Sequence, residues 1–394
     1  MGNVLERHHK YQRNDELQES MRKKCFWSLS NGEDIIKLHT LKEKLNFELG
    51  EPIYNYLSDN ESVQVNLEEF CKKGLPLLGN STDIYIKIIQ PFEKLLEICF
   101  DCANVKTTDK DAEFIKAFIK NMKSDGDDVE SIARRKNLVC PGLFFSIQSR
   151  IFDIFYDRKH IDYDFSSNVL TPAQMYILYG MLPVTIYFCR SKTKPDGFSG
   201  KEWDLLWTAN NPKEITPDIF QKQVFNFEGP TVTIIKTKDD EIFAIANDQK
   251  WINSRNKIGG NYSSFIKILP EIRRFDGGDM LYCNFAYDSN IEGIMWGAEF
   301  LVQNDMRNVK NIEVWGCGIP MKFDQRELDE LQRQSMGEKK SEEPRVPRTK
   351  GEFNAKPSGG DEWDVDKQLL EMAGFEFDRH RRAGPIRPPD ADDD

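Results

Sequence analysis

At 394 residues, with 39% hydrophobic content, 26 Phe and 7 Trp, the chain is long enough for two or three domains with substantial cores. A formal net charge of -11, with one short basic cluster near the N-terminus, leaves no extended positive surface for a phosphate backbone and argues against nucleic acid as a partner. No apolar stretch approaches the roughly 20 residues of a membrane-spanning helix, and the 8 cysteines, scattered in apolar runs with no signal peptide before them, read as reduced cytosolic thiols.

Residues 1–19 are polar and lack a hydrophobic period, the pattern of a flexible lead. Removal of Met1 exposes the amine of Gly2, the only amine that N-myristoyl transfer accepts, so Gly2 is the candidate lipidation site. One myristate binds membranes marginally, and Arg7, His8, His9, Lys10 and Arg13 offer a second, electrostatic signal. The sixth position, where Ser or Thr is usual, is Glu6.

Helical signals dominate from about 20 to 182. Ile35, Ile36, Leu38 and Leu41 fall on a 3.6-residue period, as do Ile53, Tyr54 and Leu57. Asn66 and Glu69 predict a helix start before Phe70, and Ser81 predicts a longer helix through Leu95, Leu96 and Ile98. Further helices are expected at Asp111–Met122, Asp127–Lys136, Phe144–Phe155 and Thr171–Leu182, the last with Pro172 at the favoured first helical position.

Ser58 to Phe70 has the outline of an EF-hand loop, with Val65 at the central apolar position and Glu69 closing it. Ser58, Asn60 and Ser62 stand where carboxylates are wanted, and Val63 replaces the turn glycine, so a helix pair without bound calcium is expected. Cys99 and Cys102 form a C-x-x-C late in a predicted helix rather than at a helix start, which reads as core packing. His39 and His160 have no second ligand at metal spacing, and no metal or other cofactor is expected.

After Pro183 the period changes to that of strands. VTIYFC (184–189) and WDLLWTA (203–209) come first, followed by GPTVTII, EIFAIA, SFIKIL, MLYCNF and IEVWG between residues 229 and 318. No histidine lies between His160 and His380, and no G-x-S-x-G, phosphate loop or H-E-x-x-H occurs, so no enzyme activity is expected. Beyond Gly318 a charged linker (319–360) precedes a short helix (361–375), whose Val365, Leu369, Met372 and Phe375 are the candidate partner-binding residues, and then a disordered tail (376–394).

The order of landmarks from LTPAQMYILYGMLP through Trp203–Trp207, GPTVTIIKTKDDEIF, Trp251, Tyr282-Cys283-Asn284 and Glu313-Val314-Trp315-Gly316 resembles the TLDc domain of the eukaryotic oxidation-resistance proteins. The likeness covers about Leu170 to Gly318, within a domain bounded at 166–318 after a helical, degenerate EF-hand-like region at 20–165. It implies an α+β chain with a β-sandwich flanked by helices, no established catalytic site, and binding to peripheral subunits of the V-ATPase. The Met-Gly-Asn start, the helical half and the closing LLEMAG segment together resemble the myristoylated lysosomal branch tied to TOR signalling, whose nematode relatives act in insulin-type signalling. That likeness implies a lipid-anchored adaptor or regulator on the cytoplasmic face of lysosomal or plasma membrane. The rival expectations are a soluble oxidation-resistance protein, with weak redox chemistry at Cys283 or Cys317, and a purely structural, calcium-independent scaffold without lipid. Two departures stand out: Ala244 and Ile245 replace glycines usual after the EIF strand, and NIEGIMWGAEFLVQNDMRN stands as a shortened loop before the last strands.

Overall fold

The computed structural model describes residues 23–60, 62–79, 81–156, 158, 164–188, 203–277, 280–286 and 292–317. The lead with Gly2, the charged linker, and the segment with Val365, Leu369, Met372 and Phe375 lie outside the described residues. Within them the chain is α+β, with helices through the first half and antiparallel strands in two sheets after position 203.

Helices α1 (23–29) and α2 (Leu38–Leu45), then α3 (Phe47–Leu57) and α4 (Leu67–Gly74), make two successive helix–loop–helix units. Their loops meet at one antiparallel bridge, where Ile36 N–H donates to Val65 O at 2.9 Å. Ile36 therefore leaves the helix predicted around Ile35–Leu41, and α2 starts only at Leu38, because that backbone is committed to the neighbouring loop. Asn46 caps α3 by accepting from Leu49 N–H at 2.8 Å, and Asn66 accepts from Glu69 N–H at 3.0 Å at the start of α4, as the sequence predicts.

The single helix expected from Ser81 is in fact two, α5 (Asp83–Ile88) and α6 (Phe92–Cys102). The break falls at Pro91, which has no N–H to donate and whose ring would meet the carbonyl of the preceding turn. Helices α7 (Ala112–Met122), α8 (Val129–Val139) and α9 (Phe145–Phe155) lie close to their expected positions. A capping box between Thr108 and Asp111 leads into α7, and Asp128 caps α8.

Helix α10 (Pro172–Met181) begins with the predicted Thr171 cap, completed by Gln174 as a capping box. It is apolar on every side, and only Pro172 and Tyr179 escape full burial, as a helix does when it is packed all round. Tyr176 donates its hydroxyl to Leu143 O and lies 2.8 Å from Ser146 Oγ on α9. Gly142 N–H donates to Gly180 O at 2.8 Å, and a Cβ on Gly180 would stand 2.7 Å from Cys140 Sγ, so only glycine allows this approach. One continuous buried cluster runs from Phe26 through α6, α9 and α10 to Val232 and Ile266 of the first sheet.

The strand predicted at 184–189 is instead a single helical turn, α11 (Val184–Tyr187). Pro183 O accepts from both Ile186 N–H and Tyr187 N–H, while Tyr187 O takes Trp203 Nε1–H at 2.8 Å. Tertiary contacts of the buried Tyr187 thus override the β-branched composition of the run.

Strands β1 (Trp203–Ala209), β2 (Thr231–Thr237), β3 (Ile242–Asn247), β4 (Ser264–Leu269) and β5 (Arg273–Asp276) belong to a six-stranded sheet, with helix α12 (Pro217–Val224) between β1 and β2. Strands β6 (Leu281–Asn284), β7 (Gly293–Trp296) and β8 (Phe300–Val302) form a separate three-stranded sheet, and β9 (Val309–Cys317) returns to lie between β1 and β2. The segment read as a shortened loop before the last strands therefore contains the β7–β8 hairpin. Gly293 permits this pairing: its φ is +88°, and a Cβ there would run into Val302 O.

Alternation along the six-stranded sheet sorts its side chains cleanly between two faces. Val232, Ile234, Ala244, Ala246 and Ile266 join the helical cluster, while Ile235, Phe243, Ile245, Phe265 and Val314 face the three-stranded sheet and α12. The second core is aromatic at its centre: Phe265 stacks on Phe243 at 5.4 Å and on Phe300 at 5.3 Å, and Trp296 lies 5.9 Å away.

Candidate functional site

Every described cysteine except Cys71 is buried. Cys99 and Cys102 sit in α6 at 0% and 3% exposure, and burial pushes the Cys102 thiol up to about 12. Cys283 on β6 and Cys317 on β9 are also fully buried, and burial raises the Cys283 thiol. A protonated, enclosed thiol is a poor nucleophile. Among the described residues no group of three or more His, Cys, Asp or Glu gathers at metal-binding distance.

In loop 58–66 several described polar groups are engaged locally. Asp59 is held by Lys73 Nζ at 2.5 Å, so a side-chain cation already occupies this carboxylate. Ser62 Oγ turns back to donate to Asp59 O at 2.7 Å, and Ser58 is fully buried. These groups are spent on closing the loop.

Glu313 is the buried carboxylate of the sandwich, at 1% exposure on β9 and facing the helical layer. Ser167 Oγ–H and Asn168 N–H donate to its two oxygens, the latter at 3.2 Å. Burial raises its pKa and these two donors partly offset the rise. The result is a clasp that fastens the segment entering α10 to the middle of the sheet.

On the three-stranded sheet Leu281, Cys283, Ile294, Trp296, Phe300 and Val302 point into the core. The alternate residues Tyr282, Met295 and Leu301 are paired across the three strands, forming a continuous row on the outer face. Leu301 is 48% exposed, and Met280, just before β6, is 54% exposed. The open edge of β8 is guarded: Asn308 Nδ2–H donates to Leu301 O at 2.8 Å and Asn308 Oδ1 accepts from Gln303 N–H, which blunts pairing with a foreign strand. The outer row is thus available through side chains rather than by strand addition.

A concavity of about 860 Å³ opens in the helical half between α3 and α5. Its lining mixes Glu51, Asp59 and Asp83 with Lys87 and Lys94, a balance of charge that selects no ligand class.

Of the residues chosen from sequence, Gly2, Val365, Leu369, Met372 and Phe375 lie outside the described residues, so the structure brings none of them to a site. The outer row was not foreseen. Its signal was the alternation within MLYCNF, which puts Tyr282 opposite Leu281 and Cys283, but GIMW and FLV are too short to show a period unaided.

Comparison with protein families matches the TLDc domain to residues 163–302. The match runs from just before the segment clasped by Glu313 to the end of β8, and β9, which follows it in sequence, lies between β1 and β2 in the six-stranded sheet. Comparison with curated proteins finds no match.

Proposed function

We propose that this TLDc-containing chain is a non-enzymatic, membrane-anchored adaptor or regulator, which binds peripheral V-ATPase subunits and acts in TOR or insulin-type signalling. The TLDc domain is associated with oxidative-stress resistance and V-ATPase-related roles, and the first of these is the alternative reading. The observation that carries the proposal is the apolar row Tyr282–Met295–Leu301 on the outer face of the three-stranded sheet. It is backed by a rigid aromatic core and flanked by a guarded edge, which suits recognition of a folded partner. The helical half serves in this reading as an EF-hand-like pair that keeps its loop-to-loop bridge without calcium, and so as a calcium-independent spacer between anchor and platform. Gly2 carries the anchor, which raises the local concentration of the platform at the cytoplasmic face of lysosomal or plasma membrane, and the segment with Val365, Leu369, Met372 and Phe375 supplies a further contact.

The burial of Cys283 and Cys317 weighs against the alternative in its redox form. Affinity capture of the full chain from native membranes tests the proposal. V-ATPase peripheral subunits are expected in the wild-type capture and depleted by Met295→Asp with Leu301→Asp. Equal protection against peroxide by Cys283→Ala and Cys317→Ala variants is expected as well. Capture without pump subunits or TOR and insulin-pathway components would overturn the adaptor reading.

A further inference from the structure

Tryptophan is seldom left in water on a well-packed domain. Trp203, Trp207, Trp251 and Trp296 are 5%, 8%, 0% and 3% exposed, whereas Trp27 on α1 is 44% exposed. This is not a loosely held side chain. Its neighbours Cys25, Phe26 and Leu29 are buried at 7%, 1% and 0%, Phe26 meets the Trp27 ring edge-on at 5.7 Å, and Trp27 O accepts from Gly32 N–H at 3.0 Å. Helix α1 is therefore nailed to the core by one face and holds the indole outward on the other.

The company of Trp27 on that outer face is cationic. Lys23 and Lys24 lie four and three positions before it, one helical turn away, and both are exposed. The acidic residues that follow are partly spoken for, since Glu33 pairs with Lys37 at 2.5 Å, while Asp34 stays exposed. An indole beside two ammonium groups is the side-chain set of a membrane interface, where the ring lies at headgroup level and the cations meet anionic lipid.

The chain outside the described residues points the same way. Residues 1–22 precede α1 and contain Gly2; their basic residues Arg7, Lys10, Arg13 and Arg22 are matched by Glu6, Asp15, Glu16 and Glu19, but the run from Arg7 to Arg13, near Gly2, carries three cations and no acid. Even fully extended, the stretch from Gly2 to Lys23 spans no more than about 75 Å, so an acyl chain on Gly2 would tether α1 to the bilayer. A single myristoyl chain gives only marginal binding and calls for a second signal.

We propose that Lys23, Lys24 and Trp27 form that second signal, a folded contact surface for anionic membrane that orients the helical half against the bilayer. The proposal rests on the anchored reading above. Each cation near an anionic surface strengthens binding roughly fivefold.

The test uses the full chain, produced with an N-myristoyl transferase, and vesicles of phosphatidylcholine with or without phosphatidylserine. Replacing Lys23 and Lys24 by Ala is expected to weaken partition into the anionic vesicles by roughly 25-fold and to leave the neutral ones unchanged. In a Trp363→Phe background, brominated lipid is expected to quench part of the tryptophan emission, and Trp27→Phe to abolish that part. The lysine variant alters only exposed side chains, so it stays informative even if Trp27→Phe perturbs folding. Unchanged partition of the lysine variant, or quenching that persists in Trp27→Phe, would overturn the proposal. So would loss of pump capture by these variants with vesicle partition intact, since the occupant would then be a protein. The mass of the mature N-terminus reads the anchor separately: an unmodified Gly2 defeats the anchored reading, while quenching of Trp27 by anionic vesicles still decides whether this face meets lipid.

Discussion

The two sheets of the sandwich are built from similar residues and end with opposite fates. In the six-stranded sheet β3 is buried along its whole length and β2 nearly so, because helices cover one face and the smaller sheet the other. In the three-stranded sheet one face joins the aromatic core, and on the other Leu301 is exposed while Tyr282 and Met295 are half-buried. The contrast teaches that apolar content alone does not mark a core. A strand covered on both faces carries stability, and one covered on a single face has side chains left for a partner.

The sharpest way to break this comparison is to damage each sheet and read stability separately from binding. Trp251 is fully buried and donates Nε1–H to Thr231 Oγ1 at 2.7 Å, so Trp251→Ala is expected to cost about 3–5 kcal/mol of unfolding free energy in urea titration. Next in size is Tyr176→Phe, which strips the hydroxyl from Leu143 O inside the helical cluster. A loss of about 1–2 kcal/mol is expected, and an unchanged midpoint would show that the hydrogen bond adds nothing to the packing of α10.

Glu313 gives a smaller effect with a definite sign. Its folded pKa is raised by burial, so its favourable contribution is complete below the unfolded carboxylate range and is lost as pH rises through the folded value. Thermal melts of the wild type and Glu313→Gln should therefore diverge with pH, the wild type gaining on the variant as pH falls from neutral towards the carboxylate range. Glu93 is the counterpart: the hydrogen bond from Lys123 lowers its pKa, so its contribution is present above the unfolded value and is lost as pH falls. The smallest stability effect belongs to the outer row. Leu301→Asp should leave unfolding free energy within about 0.5 kcal/mol of wild type while depleting captured partners, and a large destabilisation would mean that this face is core after all.

Several elements were legible because their signals are local. Strand β1 was read at its observed limits, and Thr171-Pro172 announced α10 through a cap residue followed by a first-turn proline, Gln174 completing the capping box in the structure. Helix α12 carries the same Thr-Pro start at Thr216-Pro217 and was passed over, although Thr216 Oγ1 accepts from Ile219 N–H there as the motif requires. Strand β5, sequence RRFD, has no apolar alternation to read, since it is an edge strand whose charges find Glu271 and Asp276 nearby. The run at 184–187 failed in the other direction, because β propensity is weak beside the packing of Tyr187.

The sequence by itself determined the α+β class, most helix starts, the run of sandwich strands and the TLDc likeness, because caps, turns and alternating runs act within a few residues. Only the tertiary structure decided that the loops of the two helix pairs meet at Ile36 and Val65, that Glu313 clasps Ser167 across a sequence gap of 146 residues, and that Trp27 and the row ending at Leu301 face outward. Whether an apolar side chain is core or contact surface depends on what lies over it, and that is set by distant parts of the chain rather than by its neighbours in sequence.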